Sequence, residues 1–382
     1  MDKIDFDTLT LESNRPDDIY RAMLARTVEA DPALKKVTVL PNWTYDFLRP
    51  PHGYVAEFEA NAMFKADLFF TDMFACTTLT RISDVNETTL SSCVDKLRAA
   101  TPKVSHQSAL FDNADAQQWF PSVGDRDACI GLYCADETNA RTQMSEKKWF
   151  VVSKITMDAE CYKEFERYLV KCETEAKTYR QVFESNEVID RFKALITRNR
   201  RRIVYDFATS IGATVRGRRY TKGQHPFHIA SFEVETHSNY VSFVGDSMFY
   251  YSDCTSTDHV QHGLIVTRAP LQAPFVYVGP SARKTTSLFA GNKWANQHNN
   301  VFPTTFGKEV TAANWKRFAK IGISKQQLHE KLVVDGELED SQTLLRHYPY
   351  RDRSPEYRKI EEQLGYTFGN VRQLQPNIVR VI

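Results

Sequence analysis

The chain has 382 residues, with 49 lysines and arginines against 48 aspartates and glutamates, a formal net charge of +1. A hydrophobic fraction of 42% and a charged fraction of 25% are values typical of globular proteins, and they exclude disordered and fibrous classes. The apolar runs are far shorter than the about 20 residues of a membrane-spanning helix, and the N-terminus lacks a secretory pattern, so we expect a cytoplasmic protein without membrane segments.

The first 155 residues are predicted to form an acidic α+β domain. A helix is expected to begin at Ser13 or Asn14, followed by two or three antiparallel strands within 54–81. Asn86 is predicted to cap a helix over 88–99, and strands are expected over 128–134 and 149–155 around a short polar helix. Acids outnumber bases by 23 to 17 in 1–155, whereas bases outnumber acids by 32 to 25 in 156–382.

A long connecting helix is predicted over 156–197. No glycine or proline occurs from Leu132 to Ile211, and apolar residues recur every three or four positions through much of this stretch. Ser185 and Asn186 are candidates for a break within it. The arginines that begin at Arg198 are expected to lie at the helix C-terminus, where the helix dipole favours cations.

Period-two alternation then predicts a basic antiparallel sheet domain over 198–310. Strands are expected over 227–235, 240–244, 247–251, 263–268 and 274–278, with Gly245 and Asp246 forming a tight hairpin turn. The remainder, 311–382, is predicted to be a helical tail with helices over 312–320, 325–334 and 355–364. The fold class is therefore α+β in two main parts.

The strongest functional signal is a basic stretch from Arg198 to Lys222, which contains eight cationic side chains and one acid, Asp206. Arginine suits phosphate because its planar guanidinium donates several hydrogen bonds in a fixed geometry. The predicted phosphate-binding residues of this stretch are Arg198, Arg200, Arg201, Arg202, Arg216, Arg218, Arg219 and Lys222, with Tyr220 as a stacking group.

A second segment, 263–308, carries five bases and no acid, interleaved with aromatic residues. Alternating cations and aromatic rings on a sheet are typical of proteins that bind single strands. The candidate residues here are Tyr277, Arg283, Lys284, Phe289, Lys293 and Trp294. The sequence thus predicts a non-enzymatic protein that binds single-stranded nucleic acid, RNA more than DNA, without a cofactor.

The spacing of the histidines indicates an alternative function, that of a metal-dependent nuclease. Two pairs have the three-residue spacing of metal ligands: His225 with His228, and His259 with His262. In a strand, residues three apart face opposite sides, so each pair would need a turn or bulge to converge. The seven cysteines are odd in number and include no C-x-x-C pair, which favours free packing thiols over a zinc site.

Two short motifs are incomplete. The run VYVGPSARKTTS from Val276 lacks the second glycine of a phosphate-binding loop. The run KIEEQLGYTFGNVRQL from Lys359 fits the helix-turn-helix template and also resembles the opening helix of ribonuclease III domains. That likeness covers fewer than 25 residues and lacks the acidic catalytic signature, so it implies a helical packing unit. A viral structural or assembly protein that forms homo-oligomers through its opposite charges is the second alternative.

Overall fold

The structure is a computed structural model, and it describes part of the chain. The described residues are 4–5, 31–44, 52–99, 129–138, 145–157, 159–215, 233–257, 264–266, 275–277, 297, 300–305, 332–334, 362, 371–373 and 375–381.

Within these residues the chain forms four α-helices, one 3-10 turn and many short strands. The helices are α1 (Glu87–Ala99), α2 (Ala159–Thr174), α3 (Tyr179–Phe183) and α4 (Glu187–Ser210), and the 3-10 turn is Asp67–Phe69. The strands are β1 (Ile4–Asp5), β2 (Leu34–Thr44), β3 (His52–Glu59), β4 (Cys76–Ser83), β5 (Cys129–Thr138), β6 (Ser145–Ile155), β7 (Thr214–Val215), β8 (Glu233–His237), β9 (Tyr240–Val244), β10 (Ser247–Ser252), β11 (Cys254–Ser256), β12 (Leu264–Val266), β13 (Phe275–Tyr277), β14 (Val301–Pro303), β15 (Leu332–Val334), β16 (Val371–Gln373) and β17 (Gln375–Val381).

The strands pair into two larger and two smaller sheets. The five-stranded sheet has the order β1-β2-β3-β10-β9, and the seven-stranded sheet has the order β15-β17-β5-β6-β4-β7, with β8 also paired to β4. The smaller sheets are β12-β13-β16 and β11-β14. Pairing is antiparallel except between β1 and β2. Helices together with antiparallel sheets make this an α+β protein, as predicted.

One hydrophobic core joins the helices to both larger sheets. At its centre lies a cluster of aromatic rings whose centroids are 4.8 to 6.0 Å apart, contributed by β3, the loop that follows it, the 3-10 turn, α3 and β10. Its members are Phe58, Phe64, Phe69, Tyr179, Phe183 and Tyr250, all at most 2% exposed. Edge-to-face and offset contacts of this kind stabilise a core beyond the area that they bury.

Several local predictions are confirmed. Val244 and Ser247 are paired across the predicted hairpin turn, and Gly245 adopts the φ of +58° that a tight turn requires. The side-chain oxygen of Asn86 accepts a hydrogen bond from the backbone N–H of Thr89 at 3.0 Å, so α1 begins at its predicted cap.

The predicted helix over 156–197 differs from the observed structure in two ways. It is three helices, since the backbone turns at Ala176 and Ser185, which adopt φ values of +53° and +52°. The last of them, α4, continues to Ser210, because buried apolar residues continue through Phe207 and Ala208.

Two helix predictions in the tail are wrong within the described residues. Leu332–Val334, the end of the predicted helix 325–334, is a strand paired with β17. Val371–Gln373, assigned to the helix-turn-helix template, is a strand paired with β13. Both segments have β-branched residues that complete a sheet, and cross-strand pairing outweighs local helical spacing.

The division of the chain into parts stays a prediction. In the described residues, both larger sheets contain strands from either side of residue 155: β3 pairs with β10, and β4 pairs with β8. The N-terminal helix and the helix over 312–320 lie outside the described residues.

The cysteines are packing thiols where their side chains are described. Cys76, Cys93, Cys161, Cys172 and Cys254 are buried free thiols, and Cys134 is half-buried. Burial raises the pKa of the Cys93 thiol to about 12, which keeps it protonated and unreactive near neutral pH.

The hydrogen bond from the Tyr179 hydroxyl to the Asp31 carboxylate predicts a large stability effect. Asp31 is 5% exposed, and its other oxygen accepts from the Ala33 N–H at 2.8 Å. Burial raises the pKa of Tyr179, with the Asp31 carboxylate adding to the shift, so the hydroxyl stays protonated and donates. We expect Tyr179→Phe to lower the free energy of unfolding by about 2 to 3 kcal/mol in urea denaturation, because a buried carboxylate loses a donor.

The matched control is Tyr250→Phe, which removes a hydroxyl from a neutral pair with Thr71 at 3.1 Å in the same aromatic cluster. A loss of about 0.5 to 1.5 kcal/mol is expected there. Equal losses in the two variants would contradict this expectation, because the hydrogen bond to the Asp31 carboxylate would then stabilise the fold no more than the neutral one.

Candidate nucleic-acid interface

Helix α4 carries the first four predicted phosphate-binding arginines, and its start is fixed by a side-chain cap. The Asn186 carbonyl oxygen accepts hydrogen bonds from the N–H groups of Val188 and Ile189 at 3.0 and 3.4 Å. Glu187 and Asp190 lie in the first turn, where carboxylates favour the positive end of the helix dipole. The cap and these carboxylates therefore fix the start of α4 at Glu187.

The end of α4 is fixed by backbone geometry and by the sheet. The Ala213 N–H donates to the Ala208 carbonyl at 2.9 Å, and Gly212 adopts a φ of +78°, the left-handed conformation that ends helices. Strand β7 follows at once and pairs with Ile82 and Ser83 at the end of β4. Both ends of α4 are thus attached to the core.

A row of buried apolar residues orients α4 on the seven-stranded sheet. Ile189, Phe192, Ile196, Val204 and Phe207 recur at helical spacing and are at most 5% exposed. The same hydrophobic cluster includes side chains from β4 and β6, namely Ile82, Val151 and Ile155. The side of α4 that carries this row therefore faces β4 and β6.

The opposite side of α4 carries two of the arginines. Arg191 has a side chain 50% exposed, and Thr209 is also exposed. Arg198 lies two turns beyond Arg191, and Arg202 lies two turns before Thr209, so all four positions fall along one outer row of the helix. Arg200, by contrast, lies one turn from each of Ile196 and Val204, in line with the buried row.

The arginine run does not lie at a helix C-terminus, and this corrects the prediction. Because α4 ends at Ser210, Arg198 to Arg202 lie near its middle, and its last turn contains no basic residue. The helix dipole acts mainly on the first and last turns, so it gives these arginines little stabilisation.

Charge is uneven along α4. In its first half, Arg191 contacts Glu187 at 2.5 Å and Lys193 contacts Asp190 at 3.7 Å, so acids and bases balance. In the second half, the four arginines between 198 and 202 are accompanied by one acid, Asp206. The middle of the helix is therefore a local concentration of positive charge.

Most other predicted binding residues lie outside the described residues: Arg216, Arg218, Arg219, Tyr220, Lys222, Arg283, Lys284, Phe289, Lys293 and Trp294. The exception is Tyr277, which lies in the central strand of the three-stranded sheet, opposite Leu264 and Val371.

The histidines of the nuclease alternative, His225, His228, His259 and His262, also lie outside the described residues. Within the part of the chain that is described, no group of three or more histidine, cysteine or acidic side chains is arranged to hold a metal ion.

A polar strip on the helix-facing side of the sheet was missed by sequence reasoning. Thr78 and Ser153 lie directly opposite each other on β4 and β6, and their hydroxyl oxygens are 2.8 Å apart. Glu235 of β8 lies opposite Thr78 on the same face. The signal in the sequence was the alternation that places Thr78 and Thr80 on one side of a strand.

No helix in the described part of the chain is long and apolar enough to cross a membrane. A comparison with models of known protein families finds no match, and neither does a comparison with curated protein sequences.

The C-terminal stop of α4 can be tested at Gly212. A methyl group at this position would have no atom within 4 Å, so substitution carries no steric clash with the rest of the protein. Gly212→Ala is expected to lower the free energy of unfolding by about 1 to 2 kcal/mol, because alanine is disfavoured at a φ of +78°.

Gly212→Asn is the matched variant, and its loss should be smaller, since asparagine tolerates the left-handed region. Urea denaturation of the three proteins gives the comparison. An alanine variant as stable as the wild type would contradict the assigned helix end.

Proposed function

We propose that this protein binds single-stranded nucleic acid, without catalysis, and that the outer row of α4 contacts the phosphate backbone. The observation that carries the proposal is the position of Arg198 and Arg202. Their helix positions are in line with Arg191 and Thr209, which are exposed, on a helix whose other side is buried against the sheet. A polyanion is the partner class that such a surface favours.

Spacing supports phosphate contact. Residues four apart on a helix have Cβ atoms about 5 to 6 Å apart, so Arg198 and Arg202 act on one short stretch of backbone. Guanidinium groups on a rigid helix lose less freedom on binding than groups on a loop. Contacts of this kind are independent of base sequence.

The preference for single strands comes from the aromatic residues among the cations of 263–308. Stacking on such rings contributes about 1 to 3 kcal/mol per base and accepts any base. Tyr277, Phe289 and Trp294, together with Tyr220 nearer to α4 in the sequence, are the proposed stacking groups. RNA is favoured over DNA as the ligand, and the cytoplasm is the proposed location.

The test is fluorescence anisotropy with a 20-nucleotide oligouridine at several salt concentrations. Arg198→Ala combined with Arg202→Ala is expected to weaken binding about 10- to 30-fold at 100 mM salt. The slope of log K against log salt should fall by about 1.4, since each single-strand phosphate contact contributes about 0.7.

Arg191→Ala is the matched control, because it removes an arginine from the same row whose charge is already balanced by Glu187 at 2.5 Å. Its effect should be several-fold smaller. Wild-type binding that is insensitive to salt, or equal effects of the two changes, would refute the proposal. Cleavage of the oligouridine on addition of Mn²⁺ would favour the nuclease alternative.

A further inference from the structure

Strand β9 forms one edge of the five-stranded sheet. Among the described strands, it pairs with β10 on one side and with no strand on the other. Its sequence, YVSFV, contains no charged residue and no proline, the residues that usually protect an edge strand from pairing with another chain. At its end, Val244 is 67% exposed, more than any other large apolar side chain in the described part of the chain. This edge is therefore suited to accept another strand.

The backbone of β9 directs two residues towards this edge. A two-residue turn joins Val244 to Ser247, so these residues form a hydrogen-bonded pair, and such pairs alternate with non-bonded pairs along the ladder. Every second residue of β9 counted back from Val244, including Ser242, therefore bonds to β10. The N–H and C=O groups of Val241 and Phe243 point away from β10.

Arg180 of α3 holds the hairpin of β9 and β10 in place. One of its Nη atoms donates to the Gly245 carbonyl at 2.6 Å, and its Nε atom donates to the Asn61 side chain at 3.1 Å. The guanidinium also lies 5.5 Å from the centre of the Phe243 ring. An edge that is ordered before it binds loses less conformational entropy on binding.

We propose that β9 pairs antiparallel with β9 of a second copy of this chain, about a two-fold axis at Ser242. In this register the strand is complementary to itself. Val241 of one copy lies opposite Phe243 of the other, and these residues exchange two hydrogen bonds through their outward backbone groups. Tyr240 lies opposite Val244 of the second copy, which covers the exposed valine. Both contacts join an aromatic residue to a β-branched one, a favourable cross-strand pair.

Charge and symmetry favour a second copy as the occupant of this edge. Since β9 carries no charge, two identical strands meet without repulsion, and the Arg180 guanidinium beside Phe243 is balanced by Glu184. A two-fold contact uses the same surface on both copies and closes at a dimer. Five residues a side make a small interface, so we expect a dissociation constant of about 10 µM. The proposal does not depend on nucleic-acid binding.

The experiment is sedimentation equilibrium of the nuclease-treated full chain, without nucleic acid, over about 1 to 100 µM. The wild type is expected to pass from monomer to dimer in this range. Ser242→Lys should weaken dimerisation at least about 10-fold, because the two-fold axis places the two lysines directly opposite each other. Ser242→Glu should do the same. An equimolar mixture of the two variants should dimerise again, since the opposed charges then attract.

Val170→Lys is the matched control, because Val170 is 49% exposed on α2 and is not part of this edge. Its dimerisation should equal that of the wild type. A wild type that stays monomeric throughout the range would overturn the proposal, as would an undiminished Ser242→Lys dimer or a mixture that stays monomeric. If Ser242→Lys does not fold, Val244→Lys replaces it at a largely exposed position. Unchanged dimerisation of that variant would equally overturn the proposal.

Discussion

The packing of one face of α4 against β4 and β6 is the constraint on which the candidate interface depends. Five large apolar side chains on this face are at most 5% exposed, and truncating a buried phenylalanine or isoleucine costs about 2 to 5 kcal/mol. Rotating the helix by a quarter turn would expose several of them at once. The burial therefore fixes which positions of α4 face water and which face the sheet.

The same packing explains why charge count alone is a poor guide to this surface. Four arginines occur within five consecutive residues, and a helix distributes them around its circumference. Balanced ion pairs occupy the first half of α4, at Glu187 with Arg191 and Asp190 with Lys193. The excess positive charge begins only beyond them, at Arg198.

Local features with a direct backbone cause could be predicted from the sequence. The Asn86 cap, the Gly245 turn and the flanking strands β9 and β10 each depend on nearby residues, and each is present. The α+β class could be predicted because the spacing of the hydrophobic residues changes from helical spacing to period-two alternation along the chain. The candidate arginines were also found from the sequence, since a dense run of one residue type is visible without a structure.

What could not be predicted depends on distant contacts. The break at Ala176 involves a residue without special turn preference, whereas the break at Ser185 lies where the sequence predicted one. Strands β15 and β16 form because distant strands pair with them. Interpreting the arginines as a helix C-terminus predicts a helix end near residue 197, whereas α4 ends at Ser210.

The central claim is that the outer row of α4 contacts nucleic-acid phosphates. Its most direct test is modification of arginines by phenylglyoxal, followed by mass spectrometry, with and without saturating oligouridine. The account predicts that Arg198 and Arg202 become protected while Arg167 of α2, with a side chain 68% exposed, is modified equally in both samples. Modification of Arg198 and Arg202 at unchanged rates in the bound protein would contradict it.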